Sequence, residues 1–203
     1  MAVTQHDRNV HLSLFSDPEM ALLEPGRVLH PAELERYKAM PADRKADFLR
    51  GRYAIKSILK DGHSQMSSLL IAADYSGKPY VEANRELFCS ISHADEYVAA
   101  AVSLQAAIGV DVEKIKTRHP ALLRSISDTE ESDRLSLIYP SEVITTVLWA
   151  IKEAVAKADE RIYPRKAYKV SSSDRILVQR DSAKWDVSVT FFPMHVSVVA
   201  LAI

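Results

Sequence analysis

The order of elements in this 203-residue chain predicts an α+β fold, a pseudo-twofold duplication of one α+β unit. Each half places helices ahead of a run of short alternating segments, the pattern of an antiparallel meander. Each half also ends in a strand of small apolar residues, and Tyr97-Val98-Ala99-Ala100-Ala101-Val102 is similar in pattern to His195-Val196-Ser197-Val198-Val199-Ala200. Nothing reads as a flexible linker, because the chain has five glycines and no Ser/Gly-rich run. The division is expected near residue 105, giving halves 1–105 and 106–203 that pack tightly.

Val10 to Phe15 alternates as a strand does. Pro31 opens a short helix to Met40, since proline suits a first helical turn. A longer helix follows from Ala42 to Lys60. Its apolar stripe is Phe48, Ile55 and Leu59 with Ala54 and Ile58, and Arg44, Lys45, Arg50, Arg52 and Lys56 fill the other positions. Leu69 to Ala73 reads as a strand and Gly77-Lys78-Pro79 as a turn. Leu87 to Ile91 and Tyr97 to Ser103 are two more strands, connected through Ser92-His93-Ala94-Asp95-Glu96. A strand over 107–113 comes next, then helices near 120–126, 129–138 and 141–159. Strands over 167–172, 175–180, 185–191 and 194–202 complete the chain.

Composition narrows the function. A net charge of −1 lacks the basic footprint of a nucleic-acid-binding protein, so nucleic acid is not an expected partner. The single cysteine, Cys89, has no internal disulfide partner and is expected in the core between Phe88 and Ile91. No apolar run has the length of a membrane span, and the N-terminus lacks a charged stretch followed by an apolar core. A soluble cytoplasmic protein is expected, with no membrane partner.

The chemistry concentrates in two segments. In Gly109-Val110-Asp111-Val112-Glu113 the alternation with Ile108, Val110 and Val112 sends both carboxylates to one strand face. In Trp149-Ala150-Ile151-Lys152-Glu153-Ala154-Val155-Ala156-Lys157, Glu153 and Lys157 stand one helical turn apart. Packed together, these segments would converge three acids beside a lysine, an arrangement suited to Mg²⁺ and a phosphorylated substrate. An edge strand with a solvated face gives the same Asp-x-Glu pattern, and Glu153 with Lys157 is also an ordinary surface pair. Trp149 reads as a core aromatic anchoring the helix. Arg44, Lys45, Arg52 and Lys78 are basic candidates for phosphate, and Ser92-His93 adds a hydroxyl, an imidazole and backbone N–H groups in a tight connection. The other histidines show no zinc spacing. No G-x-G-x-x-G, P-loop or nucleophile elbow is present, so a nucleotide would be held by basic side chains and metal.

Five motifs in order carry a resemblance. Phe48-Leu49-x-Gly51-Arg52, Gly77-Lys78-Pro79, Ser90-Ile91-Ser92-His93-Ala94, Gly109-Val110-Asp111-Val112-Glu113 and Trp149-x-x-Lys152-Glu153-Ala154-x-x-Lys157 resemble the Sfp-type 4′-phosphopantetheinyl transferases. The resemblance implies a pseudo-dimeric monomer with coenzyme A in the cleft between the halves. It implies transfer of the 4′-phosphopantetheine arm from coenzyme A to a serine of an acyl or peptidyl carrier protein, releasing 3′,5′-ADP. Carried over by motif, Asp111, Glu113 and Glu153 would hold Mg²⁺ against the diphosphate, and Lys157 would neutralise the same phosphates. Arg44 or Lys45, Arg52, Lys78, Ser92 and His93 would grip the 3′-phosphate and adenosine side. Glu130, in Ser127-Asp128-Thr129-Glu130, resembles a further family acid near the metal, and Glu113, Glu130 or a metal-bound water would take the serine proton. The chain departs from the family after the Lys-Glu helix, where Ala158-Asp159-Glu160-Arg161-Ile162-Tyr163-Pro164 stands in place of a Gly-rich turn. A non-catalytic coenzyme A or carrier-protein binding module of the same fold is the alternative. A magnesium-dependent phosphohydrolase is a third reading.

Overall fold

In the computed structural model, residues 2–5, 10–16, 22–59, 66–159 and 163–203 are described. The expected helix end at Lys60 and the stretch Glu160-Arg161-Ile162 lie outside them. The chain divides into two compact units, Met1–Gln105 and Ala106–Ile203.

The first unit contains β1 (Ala2–Gln5), β2 (Val10–Ser16), α1 (Pro25–Val28), α2 (Pro31–Ala39), α3 (Ala42–Leu59), β3 (Ile71–Ala73), β4 (Pro79–Val81), β5 (Asn84–Ala94) and β6 (Tyr97–Ser103). Its strands form one antiparallel sheet in the order β1-β2-β6-β5-β4-β3. The alanines of β6 are fully buried at its centre, and Ala54 and Ile55 of α3 pack with Phe15, Cys89, Val98 and Val102. Cys89 is therefore a core residue, and burial pushes its thiol up to about 12.

The second unit contains β7 (Ile108–Lys114), α4 (Pro120–Ile126), α5 (Thr129–Ser136), α6 (Ser141–Ala158), β8 (Lys169–Ser172), β9 (Ile176–Arg180), β10 (Ala183–Phe192) and β11 (His195–Ala202). Its antiparallel sheet runs β7-β11-β10-β9-β8. Replacing each strand by its counterpart gives β2-β6-β5-β4-β3, so the two sheets share one topology. Helix α6 lies on its sheet through Val147, Leu148, Ile151 and Val155, among the buried residues of the core. It comes so close to β7 that a Cβ on Gly109 would stand 1.8 Å from the Ala154 carbonyl oxygen. Only glycine permits that approach.

A buried ion pair recurs in both units. Glu33 closes the N-terminus of α2 as the third helical residue, in a capping box with His30, and Glu131 does the same for α5 with Asp128. The Glu33 carboxylate accepts from the Lys56 ammonium at 2.5 Å, the Ile71 N–H at 3.0 Å and the His30 N–H at 2.8 Å. The Glu131 carboxylate accepts from the Lys152 ammonium at 2.8 Å, the Val170 N–H at 2.8 Å and the Asp128 N–H at 3.0 Å. Each lysine is fully buried on the long helix, and each also donates to a carbonyl of the first short helix, Lys56 to Val28 and Lys152 to Ile126. One carboxylate thus ties a short helix, a long helix and a strand together in each unit.

Three details correct the sequence reading. Arg52 and Lys56 lie off the apolar stripe read for α3 and yet are buried, because Glu33 supplies the counter-charge that makes burial tolerable. Ser92 and His93 do not lie in a connection. They belong to β5 and pair with Ala99 and Val98 of β6, and the turn falls at Asp95 with φ 49°. The strand expected from Leu69 begins at Ile71. Among the described residues, no helix is long and apolar enough to cross a membrane.

Candidate active site

The second unit brings the acidic candidates onto one seam between β7 and α6. Gly109, Asp111 and Glu113 share the strand face that meets the helix. Trp149, Glu153 and Lys157 are spaced by one helical turn each and form the facing stripe of α6. The Lys157 ammonium donates to the Asp111 carboxylate at 2.8 Å and to the Val110 carbonyl at 3.0 Å. The Trp149 indole N–H donates to Glu113 at 2.8 Å, so this tryptophan packs against the core and also touches a candidate ligand. Asp111 is buried, while Glu113 and Glu153 are half-buried.

Each carboxylate has its own basic partner. Asp111 has Lys157, Glu113 has Arg118 at 2.5 Å, and Glu153 has Arg165 at 2.6 and 3.0 Å. Lys157 therefore does not pair with Glu153 one turn away. The hydrogen bonds to Glu153 raise Arg165 above the ordinary guanidinium range, with Asp111 adding to the effect. Held in three separate ion pairs, the oxygens of Asp111, Glu113 and Glu153 do not all come within 4.8 Å of one another, among the described residues. The donor set is nonetheless of the right chemistry for a hard divalent cation: three carboxylates on one strand–helix seam.

Glu130 stands elsewhere. It lies on the exposed side of α5 and pairs with Arg134 at 2.5 Å. The buried acid of that segment is its neighbour Glu131, bound to Lys152. Burial lowers the Lys152 ammonium and the Glu131 carboxylate raises it in opposition.

The basic candidates belong to the first unit, where a cavity of about 540 Å³ is lined by Arg36, Arg44, Phe48, Arg52, Gly77 and His93, among others. Three arginines and one carboxylate, Asp47, line it, a balance of charge that suits an anion. The Arg52 guanidinium lies 4.4 Å above the Phe48 ring and reaches Glu33 at 3.1 Å. The His93 Nε2 lies 2.9 Å from the Asp47 carbonyl, so that nitrogen donates. Gly51 leaves room for this ring, since a Cβ there would meet it at 3.3 Å. Ser92 is buried and alternates with Ile91 and His93, so it points to the other face of β5. Lys45 turns to the Tyr37 ring, 5.5 Å away, and the Lys78 N–H donates to Asp74 at 3.0 Å within the Gly77 turn. Of the sequence candidates, Arg44, Arg52 and His93 come together here; Lys45, Lys78 and Ser92 are not among the lining residues. Arg36, Arg118 and Arg165 were missed, because none of them lies in a regular spacing with the group that it meets.

Comparison with known proteins bears on both units. A family model for the 4′-phosphopantetheinyl transferase N-terminal domain matches residues 32–103, and one for the 4′-phosphopantetheinyl transferase superfamily matches residues 107–184. The chain is 32% identical over 91 residues to a holo-[acyl-carrier-protein] synthase of Geobacillus kaustophilus (strain HTA426), covering 40% of this chain and 70% of that one. The chain belongs to the 4′-phosphopantetheinyl transferase superfamily. As a member of it, the protein is an enzyme of the 4′-phosphopantetheinyl transferase class. It is also 30% identical over 129 residues to the 4′-phosphopantetheinyl transferase psf-1 of Bacillus pumilus, covering 62% of this chain and 54% of that protein. Among solved structures, a holo-(acyl-carrier-protein) synthase from Bacillus anthracis str. Ames in complex with CoA (3′,5′-ADP) aligns at 22% identity and a TM-score of 0.40. That alignment covers 46% of this chain and 92% of that one.

Proposed function

We propose that this transferase moves the 4′-phosphopantetheine arm of coenzyme A to a serine hydroxyl of an acyl or peptidyl carrier protein, in an Mg²⁺-dependent reaction that releases 3′,5′-ADP. The supporting observation is the β7–α6 seam, where Asp111, Glu113, Glu153 and Lys157 meet within the segment that the superfamily model matches. The anion-binding cavity of the first unit suits the 3′-phosphate and adenosine end of coenzyme A, with Arg44, Arg52 and His93 in it and Lys78 and Lys45 nearby in the sequence.

The reaction joins the serine oxygen to the phosphorus that carries the pantetheine arm. The bond from that phosphorus to the bridging oxygen breaks, and 3′,5′-ADP leaves with that oxygen. The serine proton passes to a carboxylate. Glu113 is the half-buried candidate at the seam and Glu130 the exposed one. Lys157 places a positive charge beside Asp111 and so stabilises negative charge growing on the diphosphate. Mg²⁺ bound by Asp111, Glu113 and Glu153 would add two further positive charges there. The duplication already supplies two copies of the unit in one chain, so the enzyme is proposed to act as a monomer.

Incubation of the protein with coenzyme A, Mg²⁺ and an apo carrier protein tests the proposal. The expected result is a carrier heavier by the phosphopantetheine arm. An unchanged carrier with bound coenzyme A would show a binding module instead, and coenzyme A cleaved without carrier would show a hydrolase.

A further inference from the structure

Arg165 follows the segment in which the chain departs from its family, and it reaches back to a candidate metal ligand. It opens the 3-10 turn Arg165–Ala167, which Pro164 introduces. Its Nε and Nη2 donate to the two oxygens of Glu153 at 2.6 and 3.0 Å, and its Nη1 donates to the Tyr163 carbonyl at 3.2 Å. Both carboxylate oxygens are therefore engaged in the bidentate geometry that fits arginine best. Arg118 engages Glu113 more sparingly. Only its Nη2 is used, and its buried Nε has no hydrogen-bond partner among the described residues.

A carboxylate oxygen that accepts from a guanidinium cannot present the same lone pairs to a divalent cation without letting the guanidinium go. A half-buried, bidentate pair resists that exchange more than a one-armed pair does. We propose that Arg165 competes with the divalent cation for Glu153, so that this arginine sets how tightly the enzyme binds its metal. The inference rests on the metal assignment given above. Arg118 competes for Glu113 in the same way but more weakly. Neither arginine belongs to the motifs that carry the acids, so cation affinity in this chain is tuned from outside them.

The test uses Mn²⁺ alone as the probe, measured by electron paramagnetic resonance on the full chain without coenzyme A or carrier. Arg165→Gln is expected to bind Mn²⁺ about tenfold more tightly than the unsubstituted protein, and Arg118→Gln less than about threefold more tightly. Arg165→Lys, which keeps the charge and loses the fork, should fall between the unsubstituted protein and Arg165→Gln. Circular dichroism establishes that each variant is folded, and Arg165→Lys gives a second reading should Arg165→Gln unfold. Equal or weaker Mn²⁺ binding by both Arg165 variants overturns the competition while leaving the metal assignment standing. Absence of Mn²⁺ binding in every protein, or unchanged binding in Glu153→Gln, overturns the metal assignment and the competition with it.

Discussion

Ser13 of β2 and Asp111 of β7 occupy equivalent places in the two units: each pairs with the fourth residue of the strand after its hairpin turn, Ala100 and Val198 respectively. Ser57 and Glu153 are equivalent too, each following the buried lysine of its long helix. The serine hydroxyls are satisfied by the backbone of α3, both donating to the Ala54 carbonyl, at 3.1 and 2.8 Å. The acids instead carry charge that needs a cation. The contrast reverses one turn before the lysine, where Arg52 lines the arginine-rich cavity and Leu148 is plain core. What is duplicated is the framework, meaning the strand order and the buried Glu–Lys tie. Reactive groups were placed on it differently in each copy, acids in one and arginines in the other.

That contrast yields graded expectations. Asp111→Ala or Glu153→Ala should lower kcat/KM by about 10³-fold with the fold retained by circular dichroism, whereas Ser13→Ala and Ser57→Ala should stay within about threefold. Similar losses in both pairs would erase the distinction. The buried ties matter in both units, though not equally. Lys152→Met should lose about 3–5 kcal/mol in urea unfolding, because it strands the buried Glu131 carboxylate, and Lys56→Met should lose less, because Arg52 at 3.1 Å still pairs with Glu33. Cys89 reports on the first unit, since its buried thiol should resist alkylation at pH 8 until that unit opens, and Lys56→Met should admit the reagent at lower urea. Gly109→Ala should cost about 2 kcal/mol or more through its clash with the Ala154 carbonyl. Gly26→Ala, with nothing within 4 Å of its Cβ, should stay within about 0.5 kcal/mol. The smallest expected loss of activity belongs to the cavity, where Arg44→Ala, and Lys78→Ala nearby in the chain, should raise the KM for coenzyme A about fivefold at nearly constant kcat. An unchanged KM in both would remove them from phosphate recognition.

Much of the architecture was legible because periodicity is local. The alternation at 108–113 and the apolar face of 141–158 were enough to place β7 and α6, while their packing into one seam stayed conditional in the sequence. Ser92 and His93 misled because small polar residues in a central strand look like a turn, and only pairing with Ala99 and Val98 reveals the strand. The burial of Arg52 and Lys56 was not legible because the carboxylate that makes it tolerable, Glu33, lies on another helix. His30 in the N-cap place hides the capping box at 30–33, whereas the Asp-x-x-Glu box at 128–131 was a readable signal for Glu131. With it, Glu131 stands apart from Glu130 as the acid that faces inward. Arg118 and Arg165 had no such signal, since nothing in a turn sequence says which carboxylate it will meet.

Mass spectrometry of an apo carrier protein incubated with coenzyme A and Mg²⁺, in parallel with the unsubstituted enzyme and with Asp111→Ala, reaches the heart of the matter. The unsubstituted enzyme should add the phosphopantetheine arm and Asp111→Ala should leave the carrier as it was. A carrier left untouched by the unsubstituted enzyme, or loaded equally well by Asp111→Ala, would contradict the role given to the β7–α6 seam.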